Sequence, residues 1–334
     1  MITQHRLTTR WRWALPLLLL ALVFWLTLFC WSAIPISATQ ALRALLPWEP
    51  SSLPQTLVRS IRLPRSLVAL LLGASLALSG SLLQSLTRNP LASPSLLGIN
   101  AGASLGMVIL TAFSPAWMSG VSLSLAAAIG GGMSWGIVML LGAGWSQSGD
   151  RSRLILAGVA VSALCAALTK ATLILSEDNA YGILHWLAGG VANVRWPEFW
   201  RLFPLLLIAA PLAQLLASRI NLLQVGDQSA HSLGVNLWRL KLYINLLVLL
   251  LVGTCVSVAG PLAFIGLLVP HMARYWVGYD LRKSLPMSMV LGAILMLLAD
   301  LLARALGWPR ELPAGAMLAL IGAPFFVWLV RTRG

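Results

Sequence analysis

The stretch IRLPRSLVALLLGASLALSG, residues 61–80, sets Arg62 and Arg65 around a proline and then runs from Ser66 to Thr87 without one charged residue. A helix needs about 20 apolar residues to cross a bilayer, and this run supplies them. Its Gly, Ala and Ser residues let neighbouring helix backbones come close, which is how helices associate in lipid. The two arginines at its head are harder to place.

Outward from this stretch the same texture fills the chain. Of its 334 residues 59% are hydrophobic and 10% charged, and the mean hydropathy is +0.86. That is too much apolar surface for a soluble core of this size, so the chain reads as an all-α, polytopic membrane bundle. Hydropathy divides it into ten segments: 13–33, 63–85, 92–112, 119–144, 153–175, 199–219, 240–260, 262–277, 286–306 and 313–330. The eighth is short and contains Pro270. Little is left over for a soluble domain, and residues 1–334 are taken as one transmembrane domain. The first segment is read as an uncleaved span, because a signal peptide has a shorter apolar core.

The net charge of +14 comes from basic residues scattered singly or in pairs between apolar runs. That pattern excludes a nucleic-acid surface and suits loops retained on the cytoplasmic side. With the N-terminus inside, inner segments carry 14 of the 23 basic residues and outer segments 8, with Lys170 inside a span. Asp150, Asp227 and Asp280 fall inside; Glu49, Glu177, Asp178, Glu198 and Glu311 fall outside. Both termini are therefore expected to be cytoplasmic. Half of the outer basic residues lie between Arg43 and Arg65, against the general rule.

An echo links LLGASLALSG at 71–80 with LVGTCVSVAG at 251–260, and at the same offset Asn89-Pro90 with Val269-Pro270. The first run heads inward and the second outward, as in the inverted repeats of transporters. Composition alone also makes Gly/Ala/Ser-rich spans look alike. Breaks at Asn89-Pro90, Pro94, Gly260-Pro261 and Pro270 interrupt helices at membrane depth, where only protein or a water-filled cavity can satisfy the freed backbone groups.

No phosphate-binding loop, zinc-protease motif or nucleophile elbow occurs in the sequence. Covalent chemistry and a cofactor are not expected, and energy for uphill transport must come from a gradient or a separate ATPase. A proton-coupled carrier needs ionisable groups within its spans. The candidates are Lys170, Asp300 and Arg304, with His271 near an inner end; Asp300 and Arg304, four apart on one helix, can equally form a structural pair. Cys30, Cys165 and Cys255 lie far apart in apolar runs and read as buried free thiols.

The longest inner loop, RINLLQVGDQSAHSLGVNLWRLKL at 219–242, has Asp227 as a helix N-cap, Gly234 as a C-terminal stop and Asn236 as the cap of the next helix. A short capped helix facing the cytoplasm either packs on its own bundle or docks into a partner. Outside, Trp186, Trp196 and Trp200 suit the interfacial aromatic belt.

Several blocks now fall into one order: RLPRSLVALLLGASLALSGSLLQSLTRNPLASPSLLGINAGASLG, SLGVNLWRLKL, VSVAGPLAFIGLLVPHMAR, LLADLLARAL and ELPAGAMLALIGAPFFVWLV. Across residues 60–330 they resemble the permease subunits of the FecCD family, the ferric-siderophore and cobalamin importers driven by ATP-binding-cassette subunits. The resemblance implies a type II importer fold of ten spans. It also implies a second permease chain, two cytoplasmic ATPase subunits and a periplasmic substrate-binding protein. The implied cargo is a ferric chelate, and the finer features point to ferric dicitrate. By the same resemblance Arg62, Arg65 and Arg304 meet acidic residues of the binding protein, and the loop with Asp227, Ala230, Leu233 and Gly234 supplies the coupling helix that meets the ATPase.

Overall fold

The computed structural model describes residues 9–32, 34–46, 52–113, 123–142, 151–176 and 180–333. Glu49, Asp150, Glu177 and Asp178, used above to assign sides, lie outside the described residues, as does Arg6, one of the basic residues counted on the inner side.

Among the described residues the regular structure is all helical: α1 (Thr9–Phe29), α2 (Ala38–Leu45), α3 (Leu53–Leu57), α4 (Leu63–Thr87), α5 (Ile99–Phe113), α6 (Leu123–Leu141), α7 (Arg151–Leu175), α8 (Ala180–Leu187), α9 (Trp196–Val225), α10 (Asp227–Ser232), α11 (Leu237–Ala259), α12 (Ile265–Val277), α13 (Leu281–Gly307) and α14 (Ala314–Arg333). Seven helices are long and apolar enough to cross a membrane, and α5 and α14 contribute shorter apolar stretches. Each of the ten expected segments falls on a helix. The eighth is α12, 13 residues long or about 20 Å.

The opening stretch becomes the centre of the molecule. In the most apolar 18-residue stretch of Leu53–Thr87, 89% of the residues are buried within their own chain, against 22% in the corresponding stretches of α1 and α9. Its small residues explain this. Gly80 of α4 lies against Gly266 of α12, where an added Cβ would come 2.0 Å from the Gly266 carbonyl oxygen. Ser81 donates to Ser288 on α13 at 2.9 Å, and Thr27 on α1 meets Ser66 at 2.7 Å. Each such bond is worth about 0.6 kcal/mol in a bilayer. By contrast Leu140, Leu156, Ile174 and Leu215, on α6, α7 and α9, are 69–76% exposed on this chain, as lipid-facing side chains would be.

The segment expected to start at 92 begins instead with irregular backbone, and α5 starts only at Ile99. Pro90 and Pro94 deny amide donors to a helix, and Gly98 takes φ +77°. Protein satisfies the freed groups: the Leu91 amide donates to Asn89 Oδ1, Ile99 to the Pro94 carbonyl, and Ser134 Oγ to the Gly98 carbonyl. The matching break after α11 is closed by Asn100 Nδ2 donating to the Leu262 carbonyl at 3.1 Å. The echo is partial at this level. Gly73 and Gly253 both pack against a neighbouring helix backbone. Gly80, however, continues α4 where Gly260 ends α11 at φ +72°, and Pro90 sits in a turn where Pro270 lies inside α12.

Contacts distant in sequence join segments assigned to the same side. Arg65 meets Glu311, and Trp196 Nε1 reaches the Arg59 carbonyl, at one end of the bundle. Arg88 meets Asp227, and Trp276 Nε1 reaches the Arg12 carbonyl, at the other.

Candidate functional site

The two arginines of the opening stretch are not displayed at the surface. A five-residue π-helical turn, Val58–Arg62, leads into α4, with Pro64 in the first turn where its missing amide does no harm. Arg65 points across to α13. Its Nε and Nη2 both donate to Asp300 Oδ1, at 3.0 and 2.7 Å, and its Nη1 donates to Glu311 Oε2 at 2.7 Å. Arg304, one turn along α13, lies with Nη2 2.9 Å from Asp300 Oδ2 and donates from Nη1 to the Thr27 carbonyl of α1 at 3.0 Å. Arg62 Nη2 donates to the Trp31 carbonyl at 3.2 Å, while its Nη1 is buried without a hydrogen-bond partner.

Asp300 thus sits between two guanidinium groups, and the cluster ties α1, α4 and α13 together at one end. Side-chain exposure is 5% for Arg65 and 1% each for Asp300 and Arg304, but 38% for Glu311. Removing one member of such a buried set leaves an uncompensated charge, at about 3–5 kcal/mol. The expected Asp300–Arg304 pair is present. The better-aligned Arg65–Asp300 pair, 235 residues apart in sequence, was beyond the reach of helical spacing.

Beside the cluster opens a cleft of about 600 Å³. Arg65, Asp300 and Glu311 form one wall, and Trp186, Glu198 and Arg201 lie around the rest. Of the expected belt tryptophans, Trp200 is 61% exposed, whereas Trp186 turns inward with its Nε1 buried and unbonded. Lys170 is exposed on α7. Cys165 and Cys255 are buried free thiols and Cys30 is half-buried.

At the opposite end α10 forms the short helix expected from the 219–242 loop, with one correction. Its N-cap is Gly226, at φ +139°, and Asp227 stands inside the first turn with no capping bond. The Asp227 carboxylate is drawn instead to Arg88, the left-handed cap of α4, and to Lys241 Nζ at 3.5 Å. These bonds fix α10 to the foot of α4 and to α11. Gly234 stops the turn at φ +80°, as expected, and Asn236 caps α11 by accepting from the Arg239 amide at 3.0 Å. Ala230 is fully buried while Leu233 is 66% exposed, so the unit is anchored on one side and presents an apolar side chain on the other.

A bundle of long apolar helices, with irregular backbone shielded by protein and charged clusters at both ends, has the architecture of a multi-pass membrane protein. More specifically, the chain belongs to the FecCD transport family, whose model matches residues 18–332. It is 62% identical, over 96% of its length and 97% of the relative's, to the Fe(3+) dicitrate transport system permease protein FecC of Escherichia coli. It is 39% identical to FecD, another Fe(3+) dicitrate permease of the same organism, over 87% of this chain and 91% of that one. A solved structure described as an inward-facing metal-chelate type ABC transporter superposes with TM-score 0.79 at 31% identity, covering 95% of this chain and 97% of that one.

Proposed function

We propose that this chain is a membrane-spanning permease of an ATP-driven importer that carries ferric dicitrate across the bacterial inner membrane by alternating access. The 62% identity to FecC along nearly the whole of both chains carries this reading. The chain performs no covalent step. It pairs with a second, homologous permease chain, with FecD as the model for such a partner; a cytoplasmic ATPase dimer supplies the energy and a periplasmic binding protein delivers the chelate. Both termini lie in the cytoplasm, and residues 1–334 act as a single domain.

Within it Arg62, Arg65 and Arg304 form the docking point for acidic residues of the binding protein. The support is the excess of positive charge in that cluster and the place of Arg65 on the wall of the cleft. The segment 219–242, with Asp227, Ala230, Leu233 and Gly234, is the coupling element. A helix clamped to α4 and α11 passes on rigid-body movement of an ATPase, where a free loop would absorb it.

Uptake of radiolabelled ferric citrate by cells lacking only this chain tests the assignment. Uptake is lost and returns with the chain on a plasmid; normal uptake in the deletion strain would end it. A proton-coupled carrier acting alone predicts uptake that an uncoupler abolishes and that survives loss of the ATPase.

A further inference from the structure

The outer charge cluster does not balance: Arg65 and Arg304 pair with Asp300 and Glu311, and Arg62, bonded only to the Trp31 carbonyl, adds a third positive charge without an acid of its own. The two acids are also unequal. Asp300 is a fully buried helical residue that accepts two bonds from Arg65. Glu311 comes from the non-helical link between α13 and α14, is partly exposed, and holds Arg65 through Nη1 alone. That contact lies on the wall of the 600 Å³ cleft, a space large enough to admit side chains of another protein.

We propose that Glu311 keeps the place of a carboxylate that belongs to the docking protein. When the two proteins meet, an acidic side chain of the partner enters the cleft and takes over Arg65 Nη1, and Glu311 swings out to solvent. This rests on the docking role given above to Arg65 and adds how that role is performed. The exchange is physically economical. Arg65 is buried, and leaving one arm of its fork unpaired in the free permease would be costly. A half-exposed acid is the partner most easily displaced, because water screens its attraction and solvates it once released. Asp300 stays, so the bundle is not disturbed by docking. The positive excess favours the incoming acid over a neutral side chain.

The test measures binding of the ferric citrate-loaded binding protein to the assembled transporter in nanodiscs. Wild type is compared with Glu311→Gln, Arg65→Gln and the double variant. Glu311→Gln removes the competitor and tightens binding about fivefold, equivalent to about 1 kcal/mol. Arg65→Gln weakens binding, and adding Glu311→Gln to it restores nothing. Should Arg65→Gln fail to assemble, Arg65→Lys keeps the charge but not the fork, and weakens binding less. If an Arg65 variant weakens binding while Glu311→Gln leaves it unchanged or weaker, the placeholder role is wrong and the docking role survives. If assembled Arg65 variants bind normally, the docking role falls and the exchange with it.

Discussion

Gly73 of α4 and Gly292 of α13 touch backbone to backbone: a Cβ on the first would lie 2.1 Å from the carbonyl oxygen of the second, and one on the second 2.3 Å from that of the first. Backbone cannot yield as a flexible side chain can. Gly73→Ala therefore forces the two central helices apart and destabilises the bundle by about 1–3 kcal/mol. Thermal unfolding of the purified transporter checks this. Gly136→Ala on α6, where a Cβ meets nothing within 4 Å, is the control and leaves stability unchanged or slightly higher.

Replacing Asp300 by Asn leaves Arg65 and Arg304 facing each other with only half-exposed Glu311 to offset them. The variant should lose about 3–5 kcal/mol, as a broken buried ion set does. Glu311→Gln should cost at most about 1 kcal/mol, because its pair is partly solvated. Equal losses in the two variants, read from unfolding midpoints, would show that burial does not set the balance.

At the other end, Gly234→Val puts a branched side chain at φ +80°, which strains the turn by roughly 1–3 kcal/mol. Leu233→Asp leaves the backbone alone and removes the exposed apolar contact. Both variants should assemble but transport less chelate for each ATP hydrolysed. Unchanged ratios in both, measured in proteoliposomes with loaded binding protein, would separate this loop from the ATPase.

Asp280 caps α13 by accepting from the Arg282 amide at 3.0 Å, and it also accepts from Asn221 Nδ2 at 2.8 Å. Those bonds, the Arg282 amide first, hold its carboxyl below the usual carboxylate range. A lowered folded value means that the cap's contribution is complete above the ordinary carboxylate pKa and disappears as pH falls through the lowered one. Asp280→Ala should cost about 1 kcal/mol at neutral pH. The difference from wild type should close in acid; a gap that stays constant down to strongly acid pH would assign the loss to packing.

Hydropathy and small residues were enough to place the long helices and to single out α4, because both signals are local. The caps of α10 and α11 were partly readable for the same reason. Gly234 and Asn236 act as their chemistry suggests, but Asp227 gives up capping for Arg88 and Lys241, which come from other helices. The charged cluster was half readable. Asp300 and Arg304 share a helix face, whereas Arg65 and Glu311 reach them only once α4 and α13 have packed. Helix α5 starts late because Pro94 and Gly98 outweigh an apolar run that hydropathy scores as continuous.

The separation of 235 residues between Arg65 and Asp300 also has a meaning in time. At about 5–20 residues per second, a ribosome makes Asp300 roughly 10–50 s after Arg65. For that interval α4 sits at the membrane with an unanswered guanidinium and a flank of glycines whose counterpart does not yet exist. The central helix of the finished bundle is thus an early and unfinished guest in the bilayer. Nascent chains cut short before residue 300 should leave α4 open to extraction or proteolysis, and chains reaching Glu311 should seal it.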